Sequence, residues 1–299
     1  MHSWTSASQR WPADGVRIVV AYPTGGVSDL VARSLARQWS EQLKVPVLVE
    51  NRPGAGGTLA LDLLARSPPT GRTLVFTASA ALAAMRDAEL RRSVGKSVTP
   101  LPVVPVAGVM RTPLLLVGTP ALEGTTLADM VDYARSHPGQ LRWATTGEGT
   151  TGHAVLERIS RQANVHIIHV PYKGGGQQLT DALGGHFEVL STNVASQQLN
   201  ALREGRFKAL AVGAPQRLPL LADVPTLAEL GYAQANLDSL FGLFAAKGTP
   251  VDLVEQINQS VEQALRSSTI RDRLLEANNQ PFMGTAQDFA EQVEREANR

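Results

Sequence analysis

Short apolar, β-branched runs alternate along this chain with longer stretches in which apolar residues recur every three or four positions. The runs Val16–Val20, Val45–Glu50, Thr73–Thr77, Leu114–Val117, Leu141–Thr145, Val165–Val170, Phe187–Ser191, Ala209–Val212 and Phe241–Ala245 read as strands. Between them, stripes such as Leu30, Val31, Leu35, Trp39 and Leu43, or Val254, Ile257, Val261 and Leu265, read as amphipathic helices. Start signals agree with that reading. Thr126 with Asp129 and Thr285 with Asp288 have the spacing of capping boxes, and Thr249-Pro250 reads as a cap before a first-turn proline. Strand–helix alternation predicts an α/β fold with largely parallel sheets and helices on both faces.

With 299 residues the chain is long enough for two domains, and 43% hydrophobic against 18% charged residues supplies a real core. Lys plus Arg is 28 and Asp plus Glu is 27, so there is no basic field for nucleic acid or an anionic membrane. The absence of Cys removes disulfides, thiolate catalysis and zinc–thiolate sites together. No apolar run reaches the roughly 20 residues needed to span a bilayer. Met1 to Arg10 are polar and lack an apolar signal core, so an exported protein of this sequence would have had its signal removed.

Two strand–loop–helix units share a pattern. Val16–Val20 leads into Pro23-Thr24-Gly25-Gly26-Val27-Ser28, and Leu141–Thr145 into Gly147-Glu148-Gly149-Thr150-Thr151-Gly152. Each ends a strand at a glycine turn and aims a helix N-terminus outward, where free N–H groups and the positive end of the dipole suit an anion. Neither loop carries Lys or Arg, so a carboxylate would be held by dipoles and hydrogen bonds rather than by an arginine fork. Gly147 to Gly152 also fits G-x-G-x-x-G, the dinucleotide fingerprint. The next strand ends His169-Val170-Pro171-Tyr172-Lys173 without the acid that would hold a ribose, although Lys173 suits a 2′-phosphate; an NADP-dependent oxidoreductase is therefore the alternative.

Other candidates carry a plain reading beside the functional one. Gly54-Ala55-Gly56-Gly57 is a tight turn into a helix or a ligand-facing loop, with Leu59 where a third fingerprint glycine would stand. His153, in the first helical turn, contacts a ligand or caps local carbonyls. Glu148 is a solvated turn residue or leans over a cleft mouth and disfavours a second ligand carboxylate. Asp29 reads as an N-cap. His166 and His169, three apart on a strand, point to opposite faces and make poor joint metal ligands. No base–nucleophile–acid set assembles, so neither catalysis, cofactor nor metal is expected.

Taken together these segments resemble the substrate-binding proteins of tripartite tricarboxylate transporters, the TctC or Bug family. The matching pieces are Val16 to Val20, Pro23 to Asp29 with Ala32-Arg33, Val49 to Gly57, Pro138-Gly139, Gly147 to His153, His169 to Gly174, Asp223 to Thr226, Phe241 to Ala245 and Gly248 to Pro250. The resemblance implies a type II periplasmic binding protein, a Venus flytrap of two α/β domains closing over a small organic carboxylate by hinge motion. It implies a periplasmic, monomeric receptor serving a membrane transporter or a sensor, for a dicarboxylate, amino acid or aromatic acid. Domain 1 is expected over residues 12–117 plus 238–299, and domain 2 over 118–237. Carried over by position, the ligand contacts fall on Thr24, Gly25, Gly26, Thr77, Ser79, Gly147, Thr150, Thr151 and Asn193, with Glu148 and His153 added from the loop itself. The chain departs from the family pattern at Thr24, Thr70-Gly71-Arg72, Met85 to Leu101 and Thr192. At 192 an Asp is usual, and its absence removes a partner for a ligand ammonium group.

Overall fold

The computed structural model describes residues 11–12, 14–93 and 100–297; the polar N-terminal stretch considered above for an export signal lies outside them. In chain order the first elements are β1 (Val16–Val20), α1 (Val27–Leu43), β2 (Val47–Asn51), α2 (Thr58–Ala65), β3 (Thr73–Ala78), α3 (Ser79–Arg92) and β4 (Val103–Thr112). The chain then passes to a second lobe: β5 (Leu114–Gly118), α4 (Leu127–Ser136), β6 (Arg142–Thr145), α5 (Thr151–Ala163), β7 (Ile168–Pro171), α6 (Gly175–Leu183), β8 (Val189–Asn193), α7 (Ser196–Arg203) and β9 (Lys208–Gly213). It returns as β10 (Ser239–Ala246), α8 (Val251–Arg266), α9 (Ser268–Glu276), β11 (Gln280–Pro281) and α10 (Ala286–Ala297). No helix among the described residues is long and apolar enough to cross a membrane.

One sheet has the order β11-β4-β10-β3-β1-β2 and the other β7-β6-β8-β5-β9. β1 pairs in parallel with β2 and β3, and β6 in parallel with β7 and β8. The strands that follow each crossing, β5 and β10, instead run antiparallel to both their neighbours. The expected parallel arrangement therefore holds around β1 and β6 and reverses at β5 and β10, and β11 also runs antiparallel to β4.

Side-chain alternation explains the layers. In β1, Ile18 and Val20 face one way, onto Trp39 of α1 and Ile257 and Val261 of α8. Val19 faces the other way, onto Leu61 and Leu64 of α2 and Phe289 of α10. A strand segment covered on both faces must be apolar, which is why Ile18–Val20 is an unbroken apolar run, while Arg17 before it is half-buried and pairs with Glu50. The second sheet repeats the scheme: Val189 packs with Trp143, Val155 and Ile159, and Leu190 with Leu179 and Leu199. Trp39 and Trp143 are both fully buried. Each such side chain contributes roughly 2–3 kcal/mol of burial.

Several boundaries differ from the sequence reading. Leu114–Val117, expected to end the first domain, pairs with β8 and β9, so the first crossing is at Pro113. β4 and β11 lie outside the runs that the sequence pattern marks as strands. The capping boxes at Thr126/Asp129 and Thr285/Asp288 are present. Thr249 is not a cap: its hydroxyl donates to the Ala246 carbonyl at 2.7 Å, and Pro250 itself holds the cap position of α8.

Candidate functional site

The glycine loops of the two lobes meet. A Cβ on Gly56 (φ +61°) would overlap the Glu148 carbonyl oxygen, and one on Gly149 would stand 2.6 Å from the Ala84 Cβ. One on Gly174 would stand 2.6 Å from Pro23 Cγ. The Ser239 hydroxyl, at the second crossing, donates to Thr151 Oγ1 at 3.0 Å. The loops after β1, β2, β6 and β7, together with α3, thus close on one seam, and at Gly56, Gly149 and Gly174 a side chain would collide with the facing lobe.

Three of the loop glycine amides, those of Gly25, Gly147 and Gly149, are already occupied. Gly25 N–H donates to Asp29 Oδ2 at 2.9 Å. Asp29 is buried and is not the N-cap expected of it; Gly26 holds that position, and Asp29 reaches back from the first turn. Its carboxylate also takes Arg33 Nε at 3.0 Å and Asn51 Nδ2 at 2.9 Å. Burial alone would raise its pKa, but the bonds from Arg33, Gly25 and Asn51 win and hold it below the ordinary carboxyl value. In the second lobe Gly147 N–H donates to Thr145 Oγ1 at 3.1 Å, and the Thr150 hydroxyl donates to Gly147 O at 2.7 Å. Gly149 N–H donates to His153 Nδ1 at 3.2 Å. His153 therefore accepts an N–H rather than capping a carbonyl. The fingerprint glycine Gly147 has no amide left for a pyrophosphate.

The donors that remain are helix ends. No side chain caps α1, α3, α6 or α7, nor α2, α8 and α9, whereas α4, in the second lobe, has a full capping box. α5 alone of the seam helices has a side-chain cap, Thr150. Uncapped first-turn N–H groups are left for water or a ligand.

The expected site residues divide into two groups. Ser79, Thr150, Thr151 and His153 line a cavity of about 290 Å³ between α3 and α5, together with Ala84 and Glu296. Thr24, Gly25, Gly26, Thr77, Gly147, Glu148 and Asn193 do not line it. Thr24, Gly25 and Gly26 are exposed at the start of α1. Thr77 is fully buried, with its hydroxyl 3.3 Å from the Tyr22 hydroxyl. Glu148 is exposed. Asn193 ends β8 opposite Leu114, at the first crossing, and Thr192 beside it accepts from Gln198 Nε2 at 3.3 Å. Ser79 is committed elsewhere: its hydroxyl donates to Glu296 Oε2 at 2.5 Å, and Glu296 also lies 3.2 Å from Arg111.

Several contributors escaped the sequence reading. Tyr22 accepts the Ala78 N–H at 3.1 Å just before α3, and burial pushes its own pKa up. His169 stacks on His153 with ring centroids 4.2 Å apart and places Nε2 2.7 Å from Thr145 Oγ1. Register carries the signal: β6 pairs Trp143 with His169, so His169 shares a face with Trp143 and Thr145. Without that pairing the sequence offers no link between positions 153 and 169. Among the described residues no His, Cys, Asp or Glu cluster is placed to hold a metal.

Comparison with known proteins accords with this geometry. The profile of a family described as "Tripartite tricarboxylate transporter family receptor" matches residues 31–299. Protein BugT of Bordetella pertussis is 31% identical over 281 residues, 93% of this chain and 85% of that protein. MatC from Rhodopseudomonas palustris, solved with bound malate, superposes with a TM-score of 0.84 at 30% identity, over 97% of this chain and 98% of that one. Rpa4515 of R. palustris, solved with adipate, gives 0.83 at 31% identity, over 97% and 95%. Periplasmic binding protein BugD gives 0.82 at 24% identity over 96% and 95%, a likeness of fold. With two sheets joined by two crossings, glycine loops meeting at the seam, and a profile match over most of its length, the chain belongs to the TctC/Bug family of periplasmic solute-binding receptors.

Proposed function

We propose that the chain captures a small organic carboxylate at the seam between its lobes and hands it to a membrane transporter or a sensor from the periplasm, as a monomer. The observation that carries this reading is the set of helix starts without a side-chain cap, α1, α3, α6 and α7, while the N–H groups of Gly25, Gly147 and Gly149 are already taken. Each uncapped end offers N–H donors and about half a positive charge, enough to hold a carboxylate without a cation. The malate and adipate seen in the two R. palustris neighbours point to the same chemical class. The ligand contacts assigned to Thr24, Gly25, Gly26, Thr77, Ser79, Gly147, Glu148, Thr150, Thr151, His153 and Asn193 belong to this proposal. The occupied amides shift the emphasis within that set from the glycines toward the hydroxyls and the first-turn N–H groups.

Calorimetric titration with matched acids and methyl esters tests the reading. The acid should bind at least about tenfold more tightly, the value of one charge-assisted bond set. Equal affinity for acid and ester sinks it. Glu148 is exposed on the second-lobe loop and sets the ligand's far end in this reading. Glu148→Gln should favour diacids over monoacids by about 1 kcal/mol, several-fold in affinity. An unchanged preference leaves Glu148 as a turn residue.

A further inference from the structure

We infer that His153 and His169 act together as positioning residues for the Gly147–Thr150 loop, and that they make capture at this loop depend on pH. The two imidazoles lie face to face, 4.2 Å between centroids and 17° between planes, one from the first turn of α5 and one from β7. Each holds a different part of the loop. His153 Nδ1 takes the Gly149 N–H at 3.2 Å, and His169 Nε2 meets at 2.7 Å the Thr145 hydroxyl that receives the Gly147 N–H.

The His153 contact fixes a protonation state. A backbone N–H can only donate, so Nδ1 must carry no proton. The remaining ring hydrogen then sits on Nε2, which faces Glu157 Oε1 at 3.8 Å. A second proton on His153 would set N–H against N–H and release Gly149. The stack opposes a proton on both rings, because two like charges at this separation repel. His169 is drawn below the ordinary imidazole value by burial and next by His153, while Glu148 and Glu157 pull the other way. Glu148 and Glu157 act on His169, and the cavity that His153 lines also carries Glu157, Arg158 and Arg161 from α5, Asp87 from α3, Asp238 from the second crossing and Glu296 from α10. Glu148 and Glu157 favour a proton on His169, against burial and the neighbouring ring, so the two imidazoles and the loop they hold form one coupled unit.

The pH dependence of capture rests on the carboxylate-receptor reading; the tether of the loop does not. The test therefore begins without ligand. In nitrogen-15 spectra recorded from pH 7.5 to 5.0, the Gly149 and Gly147 amide resonances should move along the same curve as the two imidazoles, while Gly25 stays still. His153→Gln keeps an acceptor without a titrating proton and should abolish the movement of Gly149. A Gly149 resonance that is indifferent to pH, or that moves equally in His153→Gln, overturns the inference. Calorimetry with malate and adipate at pH 7.5 and 5.5 follows. Wild-type affinity should fall by about threefold more than that of His153→Gln, the variant accounting for titration of the acids themselves. An equal fall in both proteins overturns the coupling to capture. Binding of neither acid at either pH counts against these carboxylates as ligands, and the amide titration then judges the tether alone.

Discussion

The two glycine loops hold similar backbone shapes by different chemistry. In the first lobe, Gly25 is pinned by a buried carboxylate that also takes Arg33 and Asn51. In the second, Gly147 and Gly149 are pinned by a threonine hydroxyl and two imidazoles. A charged brace is strong and stays charged across neutral pH. An imidazole brace is weaker and can accept the Gly149 N–H only while its Nδ1 is unprotonated. One side of the seam is thus a fixed jaw and the other an adjustable one.

Removing each brace probes that contrast most directly. Asp29→Ala leaves the Gly25 N–H, Asn51 and Arg33 without their acceptor and should cost about 3 kcal/mol in chemical denaturation. His153→Ala frees one amide and one stacking face and should cost about 1 kcal/mol. Equal losses would abolish the distinction.

Adding a methyl group to each loop is the next largest perturbation. Gly25 has φ +87° with open space around its Cβ position, so Gly25→Ala meets only backbone strain, about 1 kcal/mol. Gly149 has φ +69° with Ala84 of the opposite lobe 2.6 Å away, so Gly149→Ala adds an overlap and should cost about 2 kcal/mol or force the lobes apart. Small-angle scattering should show a larger radius for Gly149→Ala and no change for Gly25→Ala. A common radius for both would mean that the loops do not set the seam.

The smallest expected effect is on stability against pH. The folded pKa of His169 lies below its ordinary value, so the unfolded chain binds more protons just under about pH 6.5 and stability declines as pH falls through that window. Asp29 is also lowered, but its contribution is present above the ordinary carboxyl value and is lost only below about pH 4. Denaturation midpoints at pH 7.5 and 5.5 should therefore differ, with His169→Gln removing most of the difference. A difference that persists in His169→Gln would place the titrating group elsewhere.

Much of this was legible in the sequence for local reasons. The inner parallel strands are apolar on both faces and announce themselves, and both capping boxes are spelled out by residues three apart. β4 is different. Val103 to Thr112 holds Pro105 and Gly108, which read as breakers. The ladder tolerates them because its register against β10 shifts between Leu243 and Phe244, next to Pro105, and between Phe241 and Gly242, next to Gly108. β11 is two residues long and takes its identity wholly from β4. At the site, the glycine loops were visible as motifs, but the partners of their amides were not. The tether from His169 to Thr145 and the bond from Glu296 to Ser79 depend on strand register and on a helix from the far end of the chain.

The position of β10 also sets an order of events during synthesis. The second lobe's sheet is built from one uninterrupted stretch, Leu114 to Gly213. The first lobe's sheet has β10 between β3 and β4, so β4 cannot join the ladder of β3, β1 and β2 until residues 239–246 arrive. The half of the protein that begins the chain is therefore the half whose sheet is completed last. Its unpaired β3 and β4 edges must wait, exposed to mispairing, while the whole second lobe is made.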